Sequence, residues 1–124
     1  MFSVGVDMVE IARIEKSLKQ KGFFQRVFGT AEQDLLLQRG YPDSHRALET
    51  AAASFCAKEA FAKAIKTGIR GFSLSEVELL RDSSGAPYLS LSGRAKVLAE
   101  GYTFSVSISH TREYAIATVL AVKE

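Results

Sequence analysis

The sequence predicts an α+β fold: a small antiparallel sheet packed on helices, with one long helix at the centre. Three observations carry this prediction. Both ends of the chain alternate apolar with small or polar residues at period two, the signature of strands with unlike faces. The middle holds an alanine-rich stretch at helical spacing, with eight alanines between Ser44 and Thr67. Turn and capping residues separate the segments in the order strand, helices, strands, helix, strands, which suits a largely antiparallel sheet.

Taken in order, "FSVGVDMV" (2–9) sets Phe2, Val4, Val6 and Met8 against Ser3, Gly5 and Asp7, and so reads as a strand. Helical spacing begins near Glu10 and is interrupted at Gly22. "TAEQ" (30–33) has the Thr-x-x-Gln form of a capping box, predicting a short helix through Leu35–Leu37 to Gly40. "PDS" (42–44) opens the long helix, and "TG" (67–68) closes it with Gly68 as the C-cap. "SEVELLRD" and "PYLSL" read as strands around the turn "SSGA", and "SGRAKVLAEG" (92–101) as a helix. "TFSVSISH" and "YAIATVLAV" form a hairpin through "TRE". Two apolar terminal strands on so small a core predict that another subunit covers part of the sheet.

A chain of 124 residues is one domain's worth, and residues 1–124 are taken as a single domain. With 47% hydrophobic and 24% charged residues it has the composition of a soluble globule, without linker, repeat or low-complexity tract. The net charge of +2 is too small to argue for nucleic acid. No apolar run approaches the ~18–20 residues of a membrane span, and the N-terminus lacks a secretory pattern. The single cysteine, Cys56, has no internal disulfide partner and falls in a helical pattern, so it reads as a small core residue in a reducing cytoplasm. Charge is clustered locally: Arg13, Lys16, Lys19, Lys21 and Arg26 stand against one acid, Glu15, and are interleaved with Ile14, Leu18, Phe23 and Phe24. Such a stretch suits an acidic partner surface, and equally a solvated helix face.

On the long helix, Leu48, Ala52, Phe55, Glu59 and Ala62 fall within a sector under about 90° wide, which puts Glu59 on a packed face. A carboxylate there is costly unless paired or metal-bound. Lys63, at i+4, offers a plain salt bridge as the simplest explanation. Lys58 lies some 100° from Glu59 around the helix, so one turn presents two ammoniums beside one acid, an arrangement suited to a metal-bound phosphate. Asp7 ends an apolar strand just before a helix, either as its cap or as a second oxygen ligand. His110 continues the face of Phe104, Val106 and Ile108; it is either a satisfied core residue or, with Thr111 and Arg112, part of an anion pocket. Two carboxylates and several ammoniums without a Cys/His cluster match Mg²⁺ rather than zinc.

"GVDMVEIARIE" (5–15), "FCAKEAFAKAIKTGI" (55–69) and "SVSISHTREYAIA" (105–117) resemble the three signature blocks of the holo-[acyl-carrier-protein] synthase family, the small bacterial-type 4'-phosphopantetheinyl transferases. "FFQRVFGTAE" (23–32) and "SGAPYL" (84–89) resemble the segments between them. The resemblance implies transfer of phosphopantetheine from coenzyme A to a serine of apo acyl carrier protein, for fatty-acid or polyketide synthesis, with release of adenosine 3',5'-bisphosphate. It also implies a homotrimer with active sites between subunits. Asp7 and Glu59 match the family's Mg²⁺ ligands, and Lys63 a residue that neutralises charge on the pyrophosphate. Glu59, directly or through water, matches the proton acceptor. His110 and Thr111 match positions that bind the coenzyme's 3'-phosphate, and Gly85 and Pro87 the turn beside its adenine. Arg13 matches a carrier-pairing residue; Phe23, Val27 and Phe28 match the apolar neighbourhood of that docking surface.

The chain departs from the pattern in three places. Ser54 stands where the family often has Arg, which removes a phosphate contact. The loop before Phe23 is about one residue longer, and the turn reads Ser-Gly-Ala-Pro where Asn-Gly-x-Pro is common. Two rival functions are a binding-only relative and a metal-dependent phosphodiester hydrolase. Intact Asp7, Glu59 and Lys63 weigh against the first, and the lack of a motif for a water-positioning base against the second.

Overall fold

The computed structural model describes residues 1–124. The chain runs through β1 (Phe2–Glu10), α1 (Ile11–Leu18), α2 (Phe23–Val27), α3 (Thr30–Gln38) and α4 (His45–Ala64). A 3-10 turn at Leu74–Glu76 then leads into β2 (Val77–Arg81), β3 (Pro87–Leu91), α5 (Gly93–Leu98), β4 (Tyr102–His110) and β5 (Tyr114–Lys123). All strand pairing is antiparallel, in two sheets rather than one: β1-β5-β4, and the hairpin β2-β3. The predicted α+β class holds, with α4 as the central helix.

Helix α4 is the spine because alanine lets backbones approach. Its alanines pack on the small inward residues of β5, Ala115, Ala117, Val119 and Ala121, all buried. On β1 the approach is tighter still: a Cβ added at Gly5 would lie 1.9 Å from the carbonyl oxygen of Ala60. Only glycine fits where strand backbone rests on helix backbone. Larger side chains fill the flanks. Phe61 is fully buried between Phe72 and Phe104, with ring centroids 5.6 and 5.2 Å away. Truncating such a ring to alanine costs about 3–5 kcal/mol.

The alternation read from β1 is real, but its faces are reversed relative to a simple apolar-in reading. Gly5 and Val9 are buried and Ser3 and Asp7 half-buried against α4, whereas Phe2 (76%), Val4 (60%), Val6 (46%) and Met8 (63%) are exposed. The register pairs these four with Val122, Leu120, Thr118 and Ile116 of β5, giving an apolar outer stripe across two strands. Serines of β4 continue that face, while Phe104, Val106 and Ile108 turn inward.

Helix ends differ from expectation by a residue or more. The N-cap of α3 is Gly29, not Thr30: the Gly29 N–H donates to Glu32 Oε1 at 3.0 Å, so Glu32 closes the first turn in place of Gln33. Ser44 caps α4 as predicted, its hydroxyl accepting from the Ala47 N–H at 3.0 Å. Gly68 is not the C-cap. The helix stops at Ile65, and the N–H groups of Lys66 and Thr67 donate back to the carbonyls of Lys63 and Ala62. This is a Schellman closure with Lys66, at φ 64°, in the place glycine usually takes.

Lys58 was expected beside a phosphate; it is instead wholly buried. Its Nζ lies 2.6 Å from Glu32 Oε1 and donates to the carbonyls of Val77 (2.5 Å) and Leu74 (3.1 Å). Glu32 Oε2 accepts from the Leu79 N–H at 2.8 Å, and Glu78 accepts from the Glu32 N–H at 2.8 Å. The pair therefore joins α3, α4 and β2, with every charge-bearing atom partnered.

Candidate active site

Asp7 and Glu59 come together because β1 lies on α4. Asp7 is two residues beyond Gly5 on the same strand face, so it points toward the helix; Glu59 rises to meet it from the turn that Gly5 covers. The Glu59 face is half-buried rather than fully packed. Its carboxyl titrates above the ordinary glutamate range, first because burial disfavours the charge and then because the Asp7 carboxylate is near; Lys63 and Arg13 act in the opposite sense. Asp7 lies within strand β1 and does not cap α1, whose N-cap is Glu10.

The simple i,i+4 salt bridge does not form. Lys63 Nζ reaches across to β1 instead, donating to Asp7 Oδ1 at 3.2 Å and to the Val6 carbonyl at 2.9 Å. Just beneath, the buried Cys56 thiol donates to the Ala115 carbonyl at 3.5 Å and is pushed up to about 12, chiefly by desolvation and then by Asp7. Asp7, Glu59, Lys63 and the exposed Arg13 thus form one cluster. Two carboxylates in mutual repulsion, with no third acidic, histidine or cysteine ligand, fit a hard divalent cation completed by waters and phosphate oxygens.

His110 belongs to a second cluster. It stands at the exposed end of β4, and its Nδ1 lies 3.2 Å from Glu49 Oε2, which also has His45 Nε2 at 3.7 Å. It is not a core histidine: 48% of its side chain is exposed. A cleft of about 440 Å³ opens here, lined by Arg39, Arg46, Glu49, Thr50, Ala53, Arg81, Ile108 and His110. Thr111 shapes the β4–β5 turn, its Oγ1 accepting from the N–H groups of Tyr114 (3.1 Å) and Glu113 (3.3 Å). Glu49 and Glu59 are ten residues apart on α4, so the helix rise alone separates the two clusters by about 15 Å.

The predicted turn residues lie at the β2–β3 connection. Gly85 has φ +88° and nothing within 4 Å of its Cβ position, and Asp82 Oδ1 accepts from the N–H groups of Ser84 and Ala86. Pro87 pairs in register with Arg81, which links this turn to the cleft holding His110.

The residues predicted for docking divide. Arg13, Lys16, Lys19, Lys21 and Arg26 are all exposed, but Val27 and Phe28 are core residues with almost no accessible surface. A direct carrier contact by Val27 or Phe28 is therefore corrected to a supporting place beneath Phe23, which packs edge-on against Phe28 and stacks on Phe55. Ser54 is buried, so its hydroxyl is withdrawn from any ligand.

Sequence reading missed Arg39, Arg46, Glu49 and Arg81. The helical spacing of Arg46, Glu49 and Thr50 was an available signal, since i+3 and i+4 neighbours share a face. Arg39 and Arg81 come from separate elements and no spacing rule joins them.

The sequence profile of the 4'-phosphopantetheinyl transferase superfamily matches residues 3–119. The holo-[acyl-carrier-protein] synthase of Fusobacterium nucleatum subsp. nucleatum is 40% identical over 124 residues, covering 97% of this chain and 98% of its own. Among solved structures, the Bacillus anthracis holo-(acyl-carrier-protein) synthase in complex with CoA (3',5'-ADP) superposes with a TM-score of 0.82 at 32% identity, covering 98% of this chain and 96% of that one. The Helicobacter pylori holo-[acyl-carrier-protein] synthase in complex with coenzyme A gives 0.79 at 30% identity, covering 96% and 99%.

Proposed function

The chain belongs to the 4'-phosphopantetheinyl transferase superfamily, and we propose that it acts as a holo-[acyl-carrier-protein] synthase. It transfers 4'-phosphopantetheine from coenzyme A to a serine of apo acyl carrier protein. The serine oxygen forms a bond to the phosphorus that carries pantetheine, the pyrophosphate P–O bond breaks, and adenosine 3',5'-bisphosphate leaves. The observation that carries this reading beyond the family likeness is the meeting of Asp7, Glu59 and Lys63 at one edge of α4.

Each of these side chains has work to do in that reaction. Asp7 and Glu59 would hold Mg²⁺, which supplies Lewis-acid polarisation of the pyrophosphate. Lys63, held in place by Asp7 and the Val6 carbonyl, offers an ammonium to the charge that builds on the leaving phosphate. Glu59, whose raised pKa makes it a better base than a solvated carboxylate, accepts the serine proton directly or through water. His110 and Thr111 receive the coenzyme's 3'-phosphate, and Gly85 and Pro87 border its adenine. Arg13 lies near enough to Glu59 to affect its charge, so a carrier docked on the basic face would bring its serine to the carboxylate.

The reading includes a homotrimer with sites shared between subunits. Two features support it. On the isolated chain the apolar outer stripe has its β1 side chains exposed beside half-buried Ile116, Leu120 and Val122 of β5, and an apolar edge strand of this kind needs a cover. A ribose 3'-phosphate and a 5'-pyrophosphate sit closer than the about 15 Å of helix rise between the His110 and Glu59 clusters, so one coenzyme engages both kinds of site most readily when two chains contribute. No helix is long and apolar enough to cross a membrane, and we place the enzyme in the cytoplasm. The deciding experiment is intact-mass measurement of apo carrier incubated with coenzyme A and Mg²⁺. A gain of one phosphopantetheine is expected; an unchanged carrier mass would refute the assignment.

A further inference from the structure

Cys56, Glu59 and Lys63 recur at i, i+3 and i+7 along α4, so the thiol lies on the helix face that carries the two charged side chains of the site. Gly5 rests on Ala60 and Ala64, where an added Cβ would come within 1.9 and 2.7 Å of main-chain atoms. The next residue of β1 on the helix-facing side is Asp7, about 6.8 Å further along the strand. One helical turn back from Ala60, about 5.4 Å, is Cys56. Its Sγ lies 3.5 Å from the carbonyl of Ala115, which the sheet register places opposite Val9. The strand therefore runs opposite to the helix, and the wholly buried thiol sits beneath the span from Asp7 to Val9, within hydrogen-bonding reach of the Asp7 carboxylate. Asp7 has use for such a partner. Its side chain is only 20% exposed and its one ion-pair partner is Lys63, 3.2 Å from Oδ1, whereas an ionised carboxylate offers about four lone-pair sites. A thiol carries one proton, and between a neutral carbonyl and a carboxylate the charged acceptor attracts it more strongly.

We propose that Cys56 is a positioning residue: its S–H, donated to the Asp7 carboxylate from beneath while Lys63 holds Oδ1 from the open side, fixes the orientation in which Asp7 meets a hard divalent cation. The inference deepens the transferase reading and rests on it for the metal. The thiol touches neither metal nor substrate and acts only through Asp7, as the hydrogen-bond partners of metal-binding carboxylates do.

The test measures binding of Mn²⁺, a paramagnetic cation that takes the same oxygen ligands as Mg²⁺. Full-length protein is titrated in the presence of coenzyme A and without carrier, and the free ion is counted by electron paramagnetic resonance. Cys56→Ala is expected to weaken Mn²⁺ binding by about tenfold, the lower end of what loss of a ligand's hydrogen-bond partner costs. Cys56→Ser puts a donor back in the same place and should regain most of the lost affinity. A role in packing alone would give no such rescue, because a buried hydroxyl is costlier to bury than a methyl group, so serine would do no better than alanine. Parent affinity in Cys56→Ala, or a Cys56→Ser as weak as Cys56→Ala, would overturn the inference while leaving the transferase assignment standing. A parent that binds no Mn²⁺ would remove the metal ligands and the inference with them. The expected ranking, in a protein that fails to modify carrier, would uphold the role of Cys56 and refute the transferase reading.

Discussion

Lys63 Nζ stands 3.2 Å from Asp7 Oδ1, a residue on another element, although Glu59 lies one turn away on its own helix. The lysine therefore ties strand to helix and leaves Glu59 free for a cation or a proton. Glu59→Gln is expected to lower transfer by about 10²–10⁴-fold with little change in thermal melting, because the substitution keeps the shape and removes only the charge. Near-normal turnover would sink both the metal and the base assignments. Asp7→Asn should raise the Mg²⁺ concentration needed for half-maximal activity by at least the ~10-fold that loss of even a supporting group costs. An unmoved metal titration would remove Asp7 as a ligand.

Lys58 and Glu32 support the fold rather than the chemistry. Lys58→Met should cost about 3–5 kcal/mol in urea denaturation, since it strands a buried carboxylate. The double variant Lys58→Met/Glu32→Gln should cost less than the two singles together, by at least about 0.5 kcal/mol. Strict additivity would mean that the two charges do not stabilise one another.

Assembly can be read by sedimentation velocity. The parent should run at about three times the 13.5 kDa chain mass at micromolar concentration. Val4→Lys, at the centre of the exposed stripe on β1, should shift the population toward single chains. A parent that sediments as one chain would refute the trimer.

Carrier docking should depend on charge. Arg13→Glu is expected to raise the carrier KM strongly and the coenzyme A KM far less, and added salt should act on the parent in the same way. The electrostatic reach is about a Debye length, ~10 Å at 0.1 M. An effect confined to coenzyme A saturation would move Arg13 into the nucleotide site.

The buried thiol gives a probe of the fold. With its pKa pushed up to about 12, Cys56 carries roughly one thiolate in ten thousand at pH 8. Iodoacetamide should leave the native protein unlabelled over hours and modify it once urea unfolds it. Rapid native labelling would place Cys56 outside the core.

Local pattern made much of this molecule legible, and its limits are equally local. Ser44 and the eight alanines after it announce α4, because capping and helical spacing are properties of neighbouring residues. The spacing also put Glu59 on a face that turned out half open, and gave no sign that Lys58, one position earlier, would be the residue sealed in the core. That outcome depends on Glu32 and on two carbonyls near β2, which only the folded chain brings together. The direction of β1 was hidden for a similar reason. Its apolar side faces out because Gly5 allows the closer contact with α4, and a preference for close backbone contact does not show in an alternation of hydrophobicity. The resemblance puts Val27 and Phe28 in the apolar neighbourhood of a docking surface, but position in a motif does not show burial: Val27 lies on the inner side of the short α2, and Phe28, where the chain leaves that helix, is wholly buried.

The contact of Gly5 with Ala60 works as a gauge block. It fixes, from main chain to main chain, how far apart Asp7 and Glu59 can stand, with no flexible side chain in the stack to give way. The smallest addition available to an amino acid, one methyl group at position 5, would lift the strand off the helix and widen the gap between the carboxylates. The calibration of the proposed reaction centre thus resides in a residue that contributes no chemistry, and a search for defective variants confined to charged positions would pass over it.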